Sequence, residues 1–204
     1  SIRWSTHLPG AVHLARPLLA DDAVVVAWSD EDAGAGGLSC HDLATGDERW
    51  RRDLDAPVRA GATLLADVDT LVAVSIAGGV VGLDPSTGEQ RWHRQLGDRL
   101  RTWAMSAPVP VGDAVVVGHI ADLALIDGVD GSIRWHRHDL EGSAPMATPM
   151  QGVLHDGMLV VAFSFNELHT VGFDPADGRV RWSGDGNRLN APTSDVVADP
   201  EVEA

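Results

Sequence analysis

The chain has 204 residues, 44% of them hydrophobic, and a formal charge of −15 at pH 7. That is enough apolar material for a folded core, and a charge that repels phosphate backbones and so argues against nucleic acid as a partner. All its cationic chains are arginine, tyrosine is absent and aspartate outnumbers glutamate, a bias that fits a GC-rich genome with a solvated acidic surface, or adaptation to salt. No stretch approaches the ~20 apolar residues of a membrane span. The start at Ser1 shows neither a basic leader nor an apolar signal core, which leaves a mature secreted domain, a cytosolic protein and an excised fragment all open and the localisation unknown. The single cysteine, Cys40, has no internal disulfide partner and reads by default as a small buried apolar residue.

Arg-Trp recurs at Arg3-Trp4, Arg49-Trp50, Arg91-Trp92, Arg134-Trp135 and Arg181-Trp182, a period of roughly 42–47 residues that marks a repeat architecture. Between these pairs lie short apolar runs broken by Gly, Pro and Asp, with no helical period. The chain is therefore expected to be all-β, a β-propeller of four-stranded antiparallel blades. In chain order, residues 1–4 give one outer strand of a partial blade, since Ser1-Ile2-Arg3-Trp4 repeats Ser132-Ile133-Arg134-Trp135. Complete repeats follow over about 5–52, 53–94, 95–137 and 138–183, and residues 184–204 begin a further partial blade.

The second repeat is the clearest, with strand A over Val58–Ala66, B over Thr70–Ile76, C over Val80–Leu83 and D over Glu89–Gln95. Ala56-Pro57, Ala107-Pro108, Ala144-Pro145 and Ala191-Pro192 open the same element in successive repeats, whereas Asp199-Pro200-Glu201 is polar and lacks the repeat pattern. The expectation is a segment of a six- to eight-bladed parent rather than a closed miniature. Its open ends would meet the remaining blades of a parent chain or a second copy.

Four of the Trp residues close one pattern, Asp-x-x-(Thr/Asp)-Gly-x-x-Arg-Trp, at Asp42–Trp50, Asp84–Trp92, Asp127–Trp135 and Asp174–Trp182. The Asp can accept from backbone N–H groups two and three residues on. The glycines Gly46, Gly88, Gly131 and Gly178 supply the positive φ of a type I turn with a bulge. Trp4, Trp50, Trp92, Trp135 and Trp182 then fall on the outer strand, where a flat ring can cover the junction with the next blade and its N–H can reach a backbone acceptor. Each preceding Arg faces the other way and is expected to pair with surface Asp.

This pattern resembles the tryptophan-docking motif of the quinoprotein-type (PQQ-like) propeller repeat family, Ala/Leu-Asp-x-x-Thr-Gly-x-x-x-Trp, of which Leu83 to Trp92 is nearly a consensus copy. His41 and Ile126 before the Asp, and Asp130 and Asp177 in place of Thr, are mild departures. The resemblance implies the fold; the same repeats build dehydrogenases, BamB-like assembly lipoproteins and receptor sensor domains. In the dehydrogenases it implies a quinone held between a Trp and a disulfide of adjacent cysteines, with calcium and a catalytic Asp. One cysteine excludes that disulfide, so no cofactor, neither PQQ nor calcium, is expected, and no catalytic residue is assigned.

Other candidates have plainer readings. The Asp-x-x-Asp-Gly loops at 127–131 and 174–178 lack the alternating oxygen ligands of a calcium loop and read as capped turns. His136 and His138 share a strand face but follow the Trp on an outer strand, so they read as solvated, not as metal ligands. The Gly-x-Ser-x-Gly elbow, the phosphate-binding loop and the His-Glu-x-x-His pair are all absent from the sequence.

What remains is the face where the B–C and D–A loops gather. Trp28 and Asp30 open an expanded B–C loop over 29–37, and Arg101 and Trp103 lie in a long D–A connection over 97–106. His119 with Asp122, and Phe165, Asn166 and Glu167, come from the equivalent loops of later repeats. Aromatic anchors among a few polar groups suit a binding patch for a protein, peptide or small ligand. The expected function is a non-catalytic scaffold or binding module. Alternatives are an accessory propeller of a larger enzyme, such as a metallophosphoesterase or Ser/Thr kinase, and a degenerate quinoprotein dehydrogenase.

Overall fold

The computed structural model describes residues 2–13, 15–96, 107–119, 122–137, 152–162 and 170–184, with His119, Asp122 and Ala162 described by their backbone alone. Every regular element among them is a strand, and the strands form four antiparallel sheets of four, each in chain order. Blade one is β1 (Leu18–Ala20), β2 (Ala23–Asp30), β3 (Ala35–Asp42) and β4 (Glu48–Leu54). Blade two is β5 (Thr63–Leu65), β6 (Thr70–Val74), β7 (Gly79–Leu83) and β8 (Gln90–Gln95). Blade three is β9 (Val109–Val111), β10 (Ala114–His119), β11 (Asp122–Asp127) and β12 (Ile133–Arg137). Blade four is β13 (Val153–His155), β14 (Met158–Ala162), β15 (Thr170–Phe173) and β16 (Val180–Gly184). The first strands touch in succession, β1 on β5, β5 on β9 and β9 on β13, which puts them at the axis of a β-propeller and the fourth strands at its rim.

The core lies between blades. Side chains alternate along a strand, so each sheet offers one apolar set to the blade before it and another to the blade after it. Val25, Ala27, Leu38 and Cys40 of blade one pack on Leu71, Ala73, Val81 and Leu83 of blade two. Val72, Val74 and Val80 meet Val115, Val117, Ala124 and Ile126 of blade three. Val116, Leu123 and Leu125 meet Leu159, Val161, Val171 and Phe173 of blade four. Both faces of the inner blades are thus buried, which explains why β6 and β7 read as unbroken apolar runs and not as alternating strands.

The hairpins between third and fourth strands follow the turn chemistry. Gly46, Gly88, Gly131 and Gly178 have φ of 81°, 72°, 70° and 71°, and each hairpin carries a register shift just before the motif Asp, as between Cys40 and His41 or Gly82 and Leu83. That is the type I turn with a glycine bulge. Two local expectations are corrected. Strand A of blade two is only Thr63–Leu65: the chain over 56–58 instead crosses blade one at Gly36, where an added Cβ would come within 2.6 Å of the Val58 backbone nitrogen. The second-to-third connection of blade one is not expanded over 29–37. β2 continues to Asp30, β3 starts at Ala35, and Gly36 and Gly37 are strand residues facing Leu54 and Asp53.

Candidate functional site

Along one edge of the blades the motif turns form a repeated contact. The Nε1–H of Trp4 donates to Leu43 O at 3.0 Å, Trp50 to Pro85 O at 3.0 Å, Trp92 to Gly128 O at 3.0 Å and Trp135 to Pro175 O at 2.8 Å. Each acceptor directly follows a motif Asp. Each ring also covers the motif glycine: Cβ atoms added at Gly46, Gly88, Gly131 and Gly178 would fall 2.6 to 2.8 Å from the indoles of Trp4, Trp50, Trp92 and Trp135. Glycine is required there twice, for its φ and for its missing side chain.

The motif Asp does two jobs. Asp42 Oδ1 accepts from Ala44 N and Thr45 N at 2.9 and 3.0 Å, and Asp84 Oδ1 from Ser86 N and Thr87 N at 2.9 and 3.1 Å. The second carboxylate oxygen takes the Arg before the Trp, as in Arg49 to Asp42 at 2.6 Å and Arg91 to Asp84 at 2.7 Å. Arg49 and Arg134 reach a second carboxylate in the first turn of the blade, Asp22 and Asp113, each at 2.7 Å. Blade four has Gly157 at that place; Arg181 pairs with Asp174, and its side chain is 61% exposed against 35% for Arg134. Hydrogen bonding from Arg49 holds the Asp42 carboxyl down at about 2. The Ser86 hydroxyl and Arg91 hold Asp84 below the usual range, and Arg134 and Arg181 do the same for Asp127 and Asp174. The exchange of Thr for Asp in the motif preserves an acceptor: Thr45 and Thr87 Oγ1 accept from the N–H two residues on, and Asp130 and Asp177 Oδ1 do likewise.

One partner was not read from the sequence. The residue two after the Trp shares its side of the strand and also reaches the next blade, with Arg52 donating to Gln90 Oε1 at 3.0 Å, Arg94 to Asp130 O at 3.2 Å and Arg137 to Gly178 O at 2.8 Å. The signal was Trp-x-Arg in three repeats.

The opposite edge carries the loops. Glu31 is clasped by Arg59 at 2.7 Å and stands 3.5 Å from His13, joining the hairpin of blade one to the segment entering blade two. On the same edge, Ser75 Oγ, His93 Nε2 and Asp55 Oδ1 converge over Gly79, lying 3.1, 3.4 and 3.8 Å from the point a Cβ would occupy. Ser75 is buried and accepts from Gly79 N at 3.2 Å. These three groups come from the end of blade one and from two separate places in blade two, so no linear pattern announces them. A hydroxyl, an imidazole and a carboxylate thus gather around a bare glycine.

The expected patch fares unevenly. Trp28 is 4% exposed and lies in β2 with its ring against Gly37, 2.9 Å from an added Cβ; it is a core residue and not a loop anchor. Asp30 Oδ1 accepts from Ala33 N at 3.0 Å, capping the hairpin turn next to Glu31. His119 and Asp122 are Cα partners at the end of the β10–β11 ladder, with side chains outside the described residues. Arg101, Trp103, Phe165, Asn166 and Glu167 lie outside the described residues altogether.

The family model described as outer membrane protein assembly factor BamB matches residues 1–102 and 34–203. Among solved structures, BamB from Moraxella catarrhalis superposes with a TM-score of 0.68 at 21% identity, over 91% of this chain and 53% of its own. A europium-containing methanol dehydrogenase gives 0.70 at 15%, over 85% and 42%. The quinohemoprotein alcohol dehydrogenase of Comamonas testosteroni gives 0.66 at 15%, over 86% and 35%. The chain thus spans about half the length, or less, of these structures. No curated protein sequence matches it.

Proposed function

The chain belongs to the PQQ-like propeller family described as outer membrane protein assembly factor BamB, and from that premise we propose that it is a non-catalytic binding module whose loop edge receives a protein, a peptide or a small ligand. The observation that carries this reading is the contrast between its two edges. The turn edge repeats one contact and is consumed in joining blades, whereas the loop edge carries Glu31 with Arg59 and His13, and also Asp55, Ser75 and His93 around Gly79. Convergent polar groups on loops held by a rigid sheet are the usual material of a recognition surface.

A quinone does not fit the residues present. Cys40 is the single cysteine and lies buried on β3, so no disulfide of adjacent cysteines can form beneath a cofactor. Among the described residues no three His, Cys, Asp or Glu side chains stand together to hold an ion. No step of catalysis is derived through either group.

The test is capture from the native extract by the immobilised chain, with Glu31→Ala plus Arg59→Ala on the loop edge and Arg181→Ala on the turn edge. A protein lost with the double variant and kept by Arg181→Ala supports the reading; equal capture by all three removes it. Trp103→Ala is expected to weaken the same capture without moving the melting temperature. Dye-linked alcohol oxidation appearing after addition of PQQ and calcium would favour the dehydrogenase reading instead.

A further inference from the structure

The motif Arg spends its guanidinium in the same way in each blade, and in blade four one donor is left over. Nε and Nη2 of Arg134 both reach Asp127 Oδ2, at 3.2 and 2.6 Å, which turns Nη1 and Nη2 to the two oxygens of Asp113 at 2.8 and 2.7 Å. Nη1 of Arg49 donates to Asp22 Oδ1 at 2.7 Å, and Nη1 of Arg91 to Asp69 O at 2.6 Å and Thr70 Oγ1 at 3.1 Å. All these acceptors lie at the turn between the first and second strands of the blade.

Arg181 grips Asp174 Oδ2 with the same two nitrogens, Nε at 3.1 Å and Nη2 in a closer contact. Its Nη1 is therefore aimed at the equivalent turn of blade four. There Gly157 stands in the place of Asp22, Asp69 and Asp113, and Met158 in that of Thr70, so neither a carboxylate nor a hydroxyl meets Nη1, which donates to none of the described residues. Where blades one and three place a carboxylate, blade four has a hollow of about 320 Å³ lined by Asp156, Gly157, Met158, Phe173, Asp174 and Arg181. A Cβ added at Gly157 would meet nothing within 4 Å. The hollow lies on the side turned to blade three, with Phe173 part of the core the two blades share. Of its two acids, Asp174 is held by Arg181, and Asp156 is 91% exposed at the mouth, 3.4 Å from His155.

We infer that this hollow binds a small organic carboxylate, whose oxygens take the donors of Arg181 that Asp113 takes on Arg134. A guanidinium offers two parallel N–H groups in one plane, the geometry that a carboxylate matches. Met158 and Phe173 supply an apolar wall for the carbon body of the ligand. One carboxylate added there gives Arg181 the two partners that Arg49 and Arg134 already have. The site is on the turn edge, apart from the loop edge proposed to receive a partner, and the two stand or fall separately.

The experiment is a titration of the whole chain with benzoate, followed by proton–nitrogen NMR of the backbone amides and of the arginine Nε–H groups, with Arg181 assigned by its loss in Arg181→Gln. The Arg181 Nε–H and Gly157 N–H signals are expected to move saturably with a Kd of about 1–10 mM, more weakly as salt rises. Arg49, Arg91 and Arg134 are expected to stay still, because their Nη1 donors are engaged. Benzamide, the neutral counterpart, is expected to bind at least about tenfold more weakly, and in Arg181→Gln the benzoate response of Gly157 is expected to vanish. No saturable movement at Arg181, the same movement with benzamide, equal movement at Arg49, Arg91 and Arg134, or a Gly157 response that survives Arg181→Gln would overturn the inference.

Discussion

The two edges of this propeller are made by the same strands and obey different rules. On the turn edge, four hairpins repeat one set of bonds almost atom for atom: an Asp capping its own turn, an Arg clamping that Asp and a Trp from the blade behind lying on the glycine. On the loop edge Glu31 is held by Arg59, a pair with no counterpart among the described residues of the later blades. The difference separates the contact that joins the blades from residues outside the repeat, and the proposed binding is placed on the latter edge.

The sharpest way to break the comparison is Trp92→Ala, which removes a 6% exposed indole from the junction of blades two and three and is expected to cost about 3–5 kcal/mol in chemical denaturation. A loss below about 1 kcal/mol would deny the turn edge its structural role. Next comes Gly131→Ala, which forces a side chain to φ of 70° and into the Trp92 ring; about 2–3 kcal/mol is expected. By contrast, Glu31→Ala on the loop edge is expected to change stability by less than about 1 kcal/mol.

Smaller effects sharpen the picture. Arg134→Ala is expected to lower the melting temperature more than Arg181→Ala, because Arg134 joins two carboxylates and Arg181 one. Acid gives the smallest effect. The motif carboxyls are depressed, Asp42 to about 2, so their stabilisation is fully present above an unfolded value near ~4 and is lost as pH falls through the folded value. The melting temperature should therefore decline between about pH 4 and pH 2, and Arg49→Ala should remove part of that decline. A flat profile would show that these exposed pairs contribute nothing.

The turn edge was legible in the sequence because its chemistry is local: an Asp and a Gly four residues apart determine a hairpin by themselves, and the Trp follows at a fixed offset. Where tertiary contact decides, the reading failed. Gly36 and Gly37 look like loop residues, yet in the sheet they are the spaces through which the chain at Val58 and the ring of Trp28 pass. Trp28 looked like an anchor because it broke the repeat, but it broke it by filling that space. The cluster over Gly79 was illegible for the same reason, since Asp55, Ser75 and His93 are far apart in sequence and meet only in the folded sheet.

The three separate inter-blade cores have a consequence for how the molecule comes apart. Each blade leans on its immediate neighbours, so stability propagates as in a row of coupled units, with blades two and three braced on both faces by described residues. Amide exchange should then be slow in β6, β7, β10 and β11. A fixed change in one junction should shift the opening of every strand beyond it.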